Sequence, residues 1–175
     1  MCYSDPIMVT YTLMGIMSVT SFSTLFWPSL TDVFNGIGEL SHPWQPWTAV
    51  FVHGWPDMPT LLHLVGNLVL LALVGPVIER RLGSFRLLGV TLLAIFAAGI
   101  LRILTRVEFN GASAFIWAYA PFLWLIVPLA MVLILTLNGV YPITAFVLGN
   151  IYHLSGTIVG FGATWFWRYR LPDKL

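Results

Sequence analysis

Charge is scarce in this chain. Asp, Glu, Lys and Arg make up 9% of the residues, against 58% that are hydrophobic, and mean hydropathy is +0.87. Soluble domains carry roughly 25% charged residues. Too few charges are present to build a water-facing surface, so the chain reads as a polytopic membrane protein. The formal net charge of +1 supplies no basic field for nucleic acid and no strong pull on acidic partners. Cysteine is nearly absent too. Cys2 is the one cysteine, which excludes an intramolecular disulfide. The first apolar run has no basic n-region before it and no A-x-A site near it, so it is expected to be a retained span rather than a cleaved signal. No internal repeat, low-complexity stretch or appended soluble domain is visible, and residues 1–175 read as a single integral membrane domain.

Long apolar runs fill most of the sequence. A helix needs about 20 residues to cross the hydrocarbon core. Residues 7–27 are uncharged and stop before Pro28, giving a first span. Residues 29–60 hold Asp32, Glu39 and Asp57 beside Trp44, Trp47, Phe51 and Trp55. That mixture is too polar to span and too aromatic for a free loop, so a structured loop in the interface is expected, where Trp is favoured. Residues 61–78 form a second span, followed by Glu79, Arg80, Arg81 and Arg86, a turn that the positive-inside rule places in the cytoplasm. Residues 87–104 form a third, with Arg102 near enough to its end to snorkel. Residues 112–137 are broken by Pro121 and Pro128, each of which weakens a continuous helix. Residues 144–167 form the last span, before the basic Arg168, Arg170 and Lys174. Both basic ends lie inside only if residues 112–137 divide near 120–126 into two short helices. The expectation is an all-α bundle of six transmembrane helices, multi-pass in the cell membrane, with both termini cytoplasmic.

Polar groups inside such segments are expensive and usually functional. Gly111-Ala112-Ser113 opens the fourth span. His153 lies 15 residues before Arg168, roughly 22 Å from the inner interface at 1.5 Å per residue, a depth comparable with that of Ser113. A serine hydroxyl is a weak nucleophile until a base takes its proton, and histidine is the usual base. No acid neighbours His153 in sequence, so the pattern favours a Ser113–His153 dyad over a triad. His63 and Asn67 are four apart and share a helix face; both can donate to a developing oxyanion. Trp117 is one turn past Ser113 and placed to stack on an imidazole. Gly156 and Gly160 form G-x-x-x-G on a stripe with His153, which lets helix backbones approach closely. Taken singly, each residue has a plainer role: Ser113 as a cap, His153 as a bundle histidine, Asn67 as interhelical glue, Trp117 as packing, His42 and His53 as interfacial groups. The ordered set is what points to chemistry.

That set, HLVGNLVLLALVGPVIERRLGS, then GAS, then NIYHLSGTIVG, with PWTAVFVHG before it, resembles the rhomboid family of intramembrane serine proteases over residues 46–161. The resemblance implies a six-helix bundle whose site opens to water from the outer face. It implies Ser113 as nucleophile and His153 as base, and an oxyanion hole of His63, Asn67 and the Ser113 amide. It makes Gly111 the glycine of the G-x-S motif and Glu79 with Gly83 a structural E-x-x-x-G. It implies single-pass transmembrane proteins as substrates and the lipid bilayer as surroundings, with no nucleic acid and no cofactor. Five features depart from the family pattern: Ala114 where glycine is usual, Trp117 where tyrosine is frequent, Tyr152 where a small residue is usual, no clear Trp-Arg pair in the first loop, and a short span four–five region. These bear on substrate choice and turnover more than on reaction class. Two alternatives remain: a rhomboid-like pseudoprotease that binds transmembrane helices without cutting, and a metalloprotein or transporter using His53, His63 and His153. The chain has no H-E-x-x-H.

Overall fold

The computed structural model describes residues 8–35, 41–53, 60–107, 109–122 and 143–168. Among the described residues all regular structure is helical: α1 Met8–Phe26, α2 Ser29–Phe34, α3 Gln45–Thr48 with a 3₁₀ turn Ala49–Phe51, α4 Thr60–Leu82, α5 Ser84–Thr105, α6 Ser113–Ile116 continued by a 3₁₀ turn Trp117–Phe122, and α7 Ile143–Arg168. Three of these, Met8–Phe26, Leu61–Leu82 and Ser84–Thr105, are long and apolar enough to cross a membrane. Large apolar side chains cover their outer faces, among them Val19, Leu62, Leu73, Phe85, Leu92 and Phe96. An apolar surface of that extent fits lipid rather than water. The expected fifth span, the second part of residues 112–137, and the expected turn at 138–142 lie outside the described residues.

The helix ends depart from the expected bounds for a physical reason. α4 does not stop at Ile78 but runs through Glu79, Arg80 and Arg81 to Leu82. Charge marks the edge of the bilayer, not the end of a helix. The Glu79 side chain is 2% exposed because it turns onto the start of α1. Its carboxylate accepts the Val9 amide at 2.8 Å, the Thr10 amide at 2.9 Å and the Thr10 hydroxyl at 2.6 Å. It also accepts the Ser84 hydroxyl at 2.6 Å. One carboxylate thus caps the orphan amides that open α1 and ties them to the start of α5. Gly75 permits the approach, since a Cβ there would lie 2.8 Å from Thr10 Oγ1. A single residue, Gly83, links α4 to α5 at φ +80°, a conformation that suits glycine.

The first loop is built rather than free. Gln45 Nε2 donates to Ser41 Oγ at 2.9 Å, Trp44 Nε1 to the Val33 carbonyl at 2.9 Å, and Thr48 Oγ1 to the Phe34 carbonyl at 2.5 Å. Trp47 lies directly on Gly99 of α5, where a Cβ would collide with the indole. Arg102 does not snorkel. It is buried and donates to Asn35 Oδ1 at 2.9 Å, to the Asn35 carbonyl, and to the Gln45 carbonyl at 3.3 Å. The loop has no Trp-Arg pair of its own, but an arginine reaches it from α5, one turn beyond the glycine that seats Trp47.

α7 packs on α5, on α6 and on the 3₁₀ turn after α6. Contact is backbone to backbone. A Cβ at Gly156 would collide with the Ala114 carbonyl, and one at Gly160 with the Ala118 carbonyl. Ala114, Phe115, Ala118 and Tyr119 are fully buried, so this short segment is enclosed on all sides, the central strut of the described bundle.

Candidate active site

The Gly-x-Ser turn is held from both sides before α6 begins. Gly111 takes φ +91°, and its amide donates to the Ala49 carbonyl at 3.1 Å. Glycine is needed there for space as well as conformation. A Cβ would lie 2.7 Å from His63 Cε1, 3.0 Å from His63 Nε2 and 3.2 Å from His53 Cδ2. The Ala112 amide donates to His53 Nε2 at 3.0 Å. The Phe115 and Ile116 amides both reach the Ala112 carbonyl, at 3.1 and 3.0 Å, which starts the helix. Ser113 then stands as the first residue of α6 and is partly exposed.

His63 and Asn67 project from α4 on the same side. Asn67 is buried, and its Nδ2 donates to the His63 carbonyl at 3.0 Å. The His63 ring meets Gly111 on one side and the edge of His53 on another, with ring centroids 5.2 Å apart. On α7, the His153 ring stacks on Trp117, with centroids 5.3 Å apart and planes at 26°. Trp117 follows Ser113 by one helical turn, and Gly156, one turn after His153, lies on the carbonyl of Ala114. The elements carrying the serine and the histidine therefore meet at the neighbours of both. No hydrogen bond joins the Ser113 hydroxyl to His153 among the described residues, and Nδ1 of His153 and Nδ1 of His63 are buried without a partner.

Two unusual residues are accommodated in distinct ways. The Tyr152 side chain does not enter the site. Its hydroxyl donates to the Val107 carbonyl at 2.6 Å, and its ring stacks on Phe109 at 4.0 Å. The tyrosine pins α7 to the segment that leads into the Gly-x-Ser turn. At Ala114 the close approach to α7 is made by the carbonyl, with the room supplied by Gly156.

His53 is the residue that sequence reasoning undervalued. It is fully buried rather than interfacial. Its Nδ1 lies 3.1 Å from Ser21 Oγ of α1, and its own amide donates to the same oxygen at 3.2 Å. Burial, reinforced by the nearby His63, pushes its pKa down from 6.5 to about 3. A signal was present: the histidine closes the apolar run PWTAVFVHG. Its partners, Ser21 and Ala112, are too distant in sequence to have been paired with it.

With this geometry in hand, comparison with known proteins gives the family. Residues 40–170 match the model of the rhomboid domain. The chain belongs to the rhomboid family. This rhomboid is similar to the rhomboid proteases GlpG of Yersinia pestis (strain Pestoides F) and Yersinia pseudotuberculosis serotype O:3 (strain YPIII). Each is 26% identical over 160 residues, covering 83% of this chain and 53% of the relative. The chain spans about half the length of the curated relatives it matches.

Proposed function

We propose that this rhomboid is an intramembrane serine endopeptidase that cuts single-pass transmembrane proteins, with Ser113 as nucleophile and His153 as base. One observation carries the reading. Trp117, a turn past Ser113, stacks on His153, while Gly156, a turn past His153, rests on the Ala114 carbonyl. The names of the relatives support the same class of reaction.

In the proposed reaction the Ser113 hydroxyl passes its proton to a ring nitrogen of His153, and Oγ bonds to the scissile carbonyl carbon. The carbonyl electron pair moves onto oxygen. His63, the Ser113 amide and the second Nδ2 hydrogen of Asn67 donate to that oxyanion. The C–N bond then breaks, the imidazolium gives its proton to the leaving amine, and water repeats the sequence to free the acyl group. The dyad hydrogen bond forms when substrate closes the site, as catalytic hydrogen bonds often do. On this reading residues 112–137 supply two of six spans, both termini are cytoplasmic in the cell membrane, and the site opens to the outer face. The basic cluster at the α4–α5 turn supports that orientation.

The test is cleavage of a model transmembrane substrate by the purified protein in detergent. Ser113→Ala and His153→Ala are expected to retain less than about a thousandth of the wild-type rate. A serine-directed phosphonate is expected to label the wild type and not Ser113→Ala. Equal cleavage by all three proteins removes the dyad. A wild type that captures the substrate uncut establishes the non-cleaving alternative, which the unformed Ser113–His153 bond favours.

A further inference from the structure

The hydrogen bonds around His53 fix its protonation and its tautomer. The Ala112 amide donates to Nε2 at 3.0 Å, so Nε2 presents a lone pair. The ring proton then sits on Nδ1, which faces Ser21 Oγ at 3.1 Å. Ser21 Oγ also accepts the His53 amide at 3.2 Å, and its own hydrogen goes to the Phe51 carbonyl at 3.3 Å. A hydroxyl has one hydrogen and two lone pairs, so Ser21, with its hydrogen on Phe51, has one lone pair for the Nδ1 proton and one for the His53 amide. Among the described residues, His63 is the titratable group whose ring meets His53, at 5.2 Å. Ala112 is fully buried, so no water can replace the imidazole as acceptor for its amide.

We propose that His53 is a positioning residue for the nucleophile turn: Ser21 of α1 receives its Nδ1 proton, and Nε2 holds the Ala112 amide and with it the place of the Ser113 hydroxyl. This rests on Ser113 being the nucleophile. The Ala112 amide is thereby withdrawn from the oxyanion site, as the Gly111 amide is by Ala49. His53 touches no reacting atom; it acts through the backbone of the residue before the serine. It also makes α1 part of the catalytic frame, since α1 supplies the group that holds the other ring nitrogen.

The experiment uses the full chain reconstituted in lipid, with two readouts. The first is solid-state NMR of ¹⁵N-labelled histidine, assigned by loss of the signal in His53→Gln. The expected state at neutral pH is a neutral ring protonated at Nδ1. A ring protonated at Nε2, or an imidazolium, overturns the proposal whatever the activity. The second readout is kinetic. His53→Leu fills similar space without an acceptor, and an unsatisfied buried donor corresponds to about tenfold to hundredfold in kcat, with KM unchanged. His53→Gln places its amide oxygen near the former Nε2 and is expected to recover most of that loss. Equal losses in the two variants, both folded by circular dichroism, overturn the proposal, as does full activity of His53→Leu. If His53→Leu does not fold, the tautomer and the His53→Gln rate decide. A wild type that neither cleaves nor takes the phosphonate overturns the catalytic reading instead, and the NMR result distinguishes the two failures.

Discussion

His53 stays neutral, since the Ala112 amide occupies the Nε2 lone pair that a second ring proton would need. Its pKa of about 3 lies below the ordinary 6.5, so between those values the unfolded chain takes up a proton that the folded chain refuses. Stability therefore rises with pH across this window. The contribution is complete above pH 6.5 and is lost progressively as pH falls toward 3, at about 1.4 kcal/mol per pH unit. The thermal midpoint of the wild type in detergent is expected to drop as pH is lowered from 6.5 to 4, and that of His53→Gln to drop less. Parallel curves for the two proteins would show that His53 does not take up the proton on unfolding. Arg102 shows the opposite choice at a comparable depth. It keeps its charge and donates to the Asn35 side chain and to the Asn35 and Gln45 carbonyls, so that a cation ties α5 to the first loop.

At the level of helices, the contact between α7 and α6 sets the geometry on which the proposed chemistry depends. The glycine stripe was readable because a four-residue spacing of small residues has one use in a membrane helix, close backbone approach. Gly156→Val drives two methyl groups toward the Ala114 carbonyl and moves the Trp117–His153 stack. It is expected to lower cleavage by at least about tenfold, as overpacking of one to three kcal/mol implies. Gly162→Ala is the matched control, since nothing lies within 4 Å of a Cβ there, and its rate is expected to be unchanged. Comparable rates for the two variants would uncouple the stripe from activity. The sequence located the end of α1 almost to the residue because Pro28 punctuates it. It misplaced the end of α4 because hydropathy reports the bilayer boundary, while Glu79 is drawn inward by the amides of Val9 and Thr10. The prolines of residues 112–137 signalled a weak helix, and the described part is indeed a single α turn followed by 3₁₀ structure around Pro121. His53 and Arg102 were not legible as buried residues. What buries them, Ser21 of α1 and Asn35 beyond α2, comes from elsewhere in the chain, and local spacing carries no trace of it.

For the whole molecule, the proposed orientation is one that labelling can read. In a Cys2→Ser background, an impermeant maleimide added outside intact spheroplasts is expected to modify Arg106→Cys and to spare Phe85→Cys until the cells are opened. The parent side chains at both positions are exposed, Phe85 by 89%. The reverse pattern would invert the bundle and turn the proposed site toward the cytoplasm. Glu79 has a consequence at this scale. By holding the first amides of α1 and the first hydroxyl of α5, it rivets the starts of both helices, and the end of α4, at one depth in one leaflet. Length adjustment to a thinner or thicker bilayer is then denied to that leaflet and displaced to the opposite one, where the first loop, Arg102 and the Ser113 turn lie. Acyl-chain length in the surrounding lipid thereby becomes a mechanical input to the end of the molecule that carries the serine.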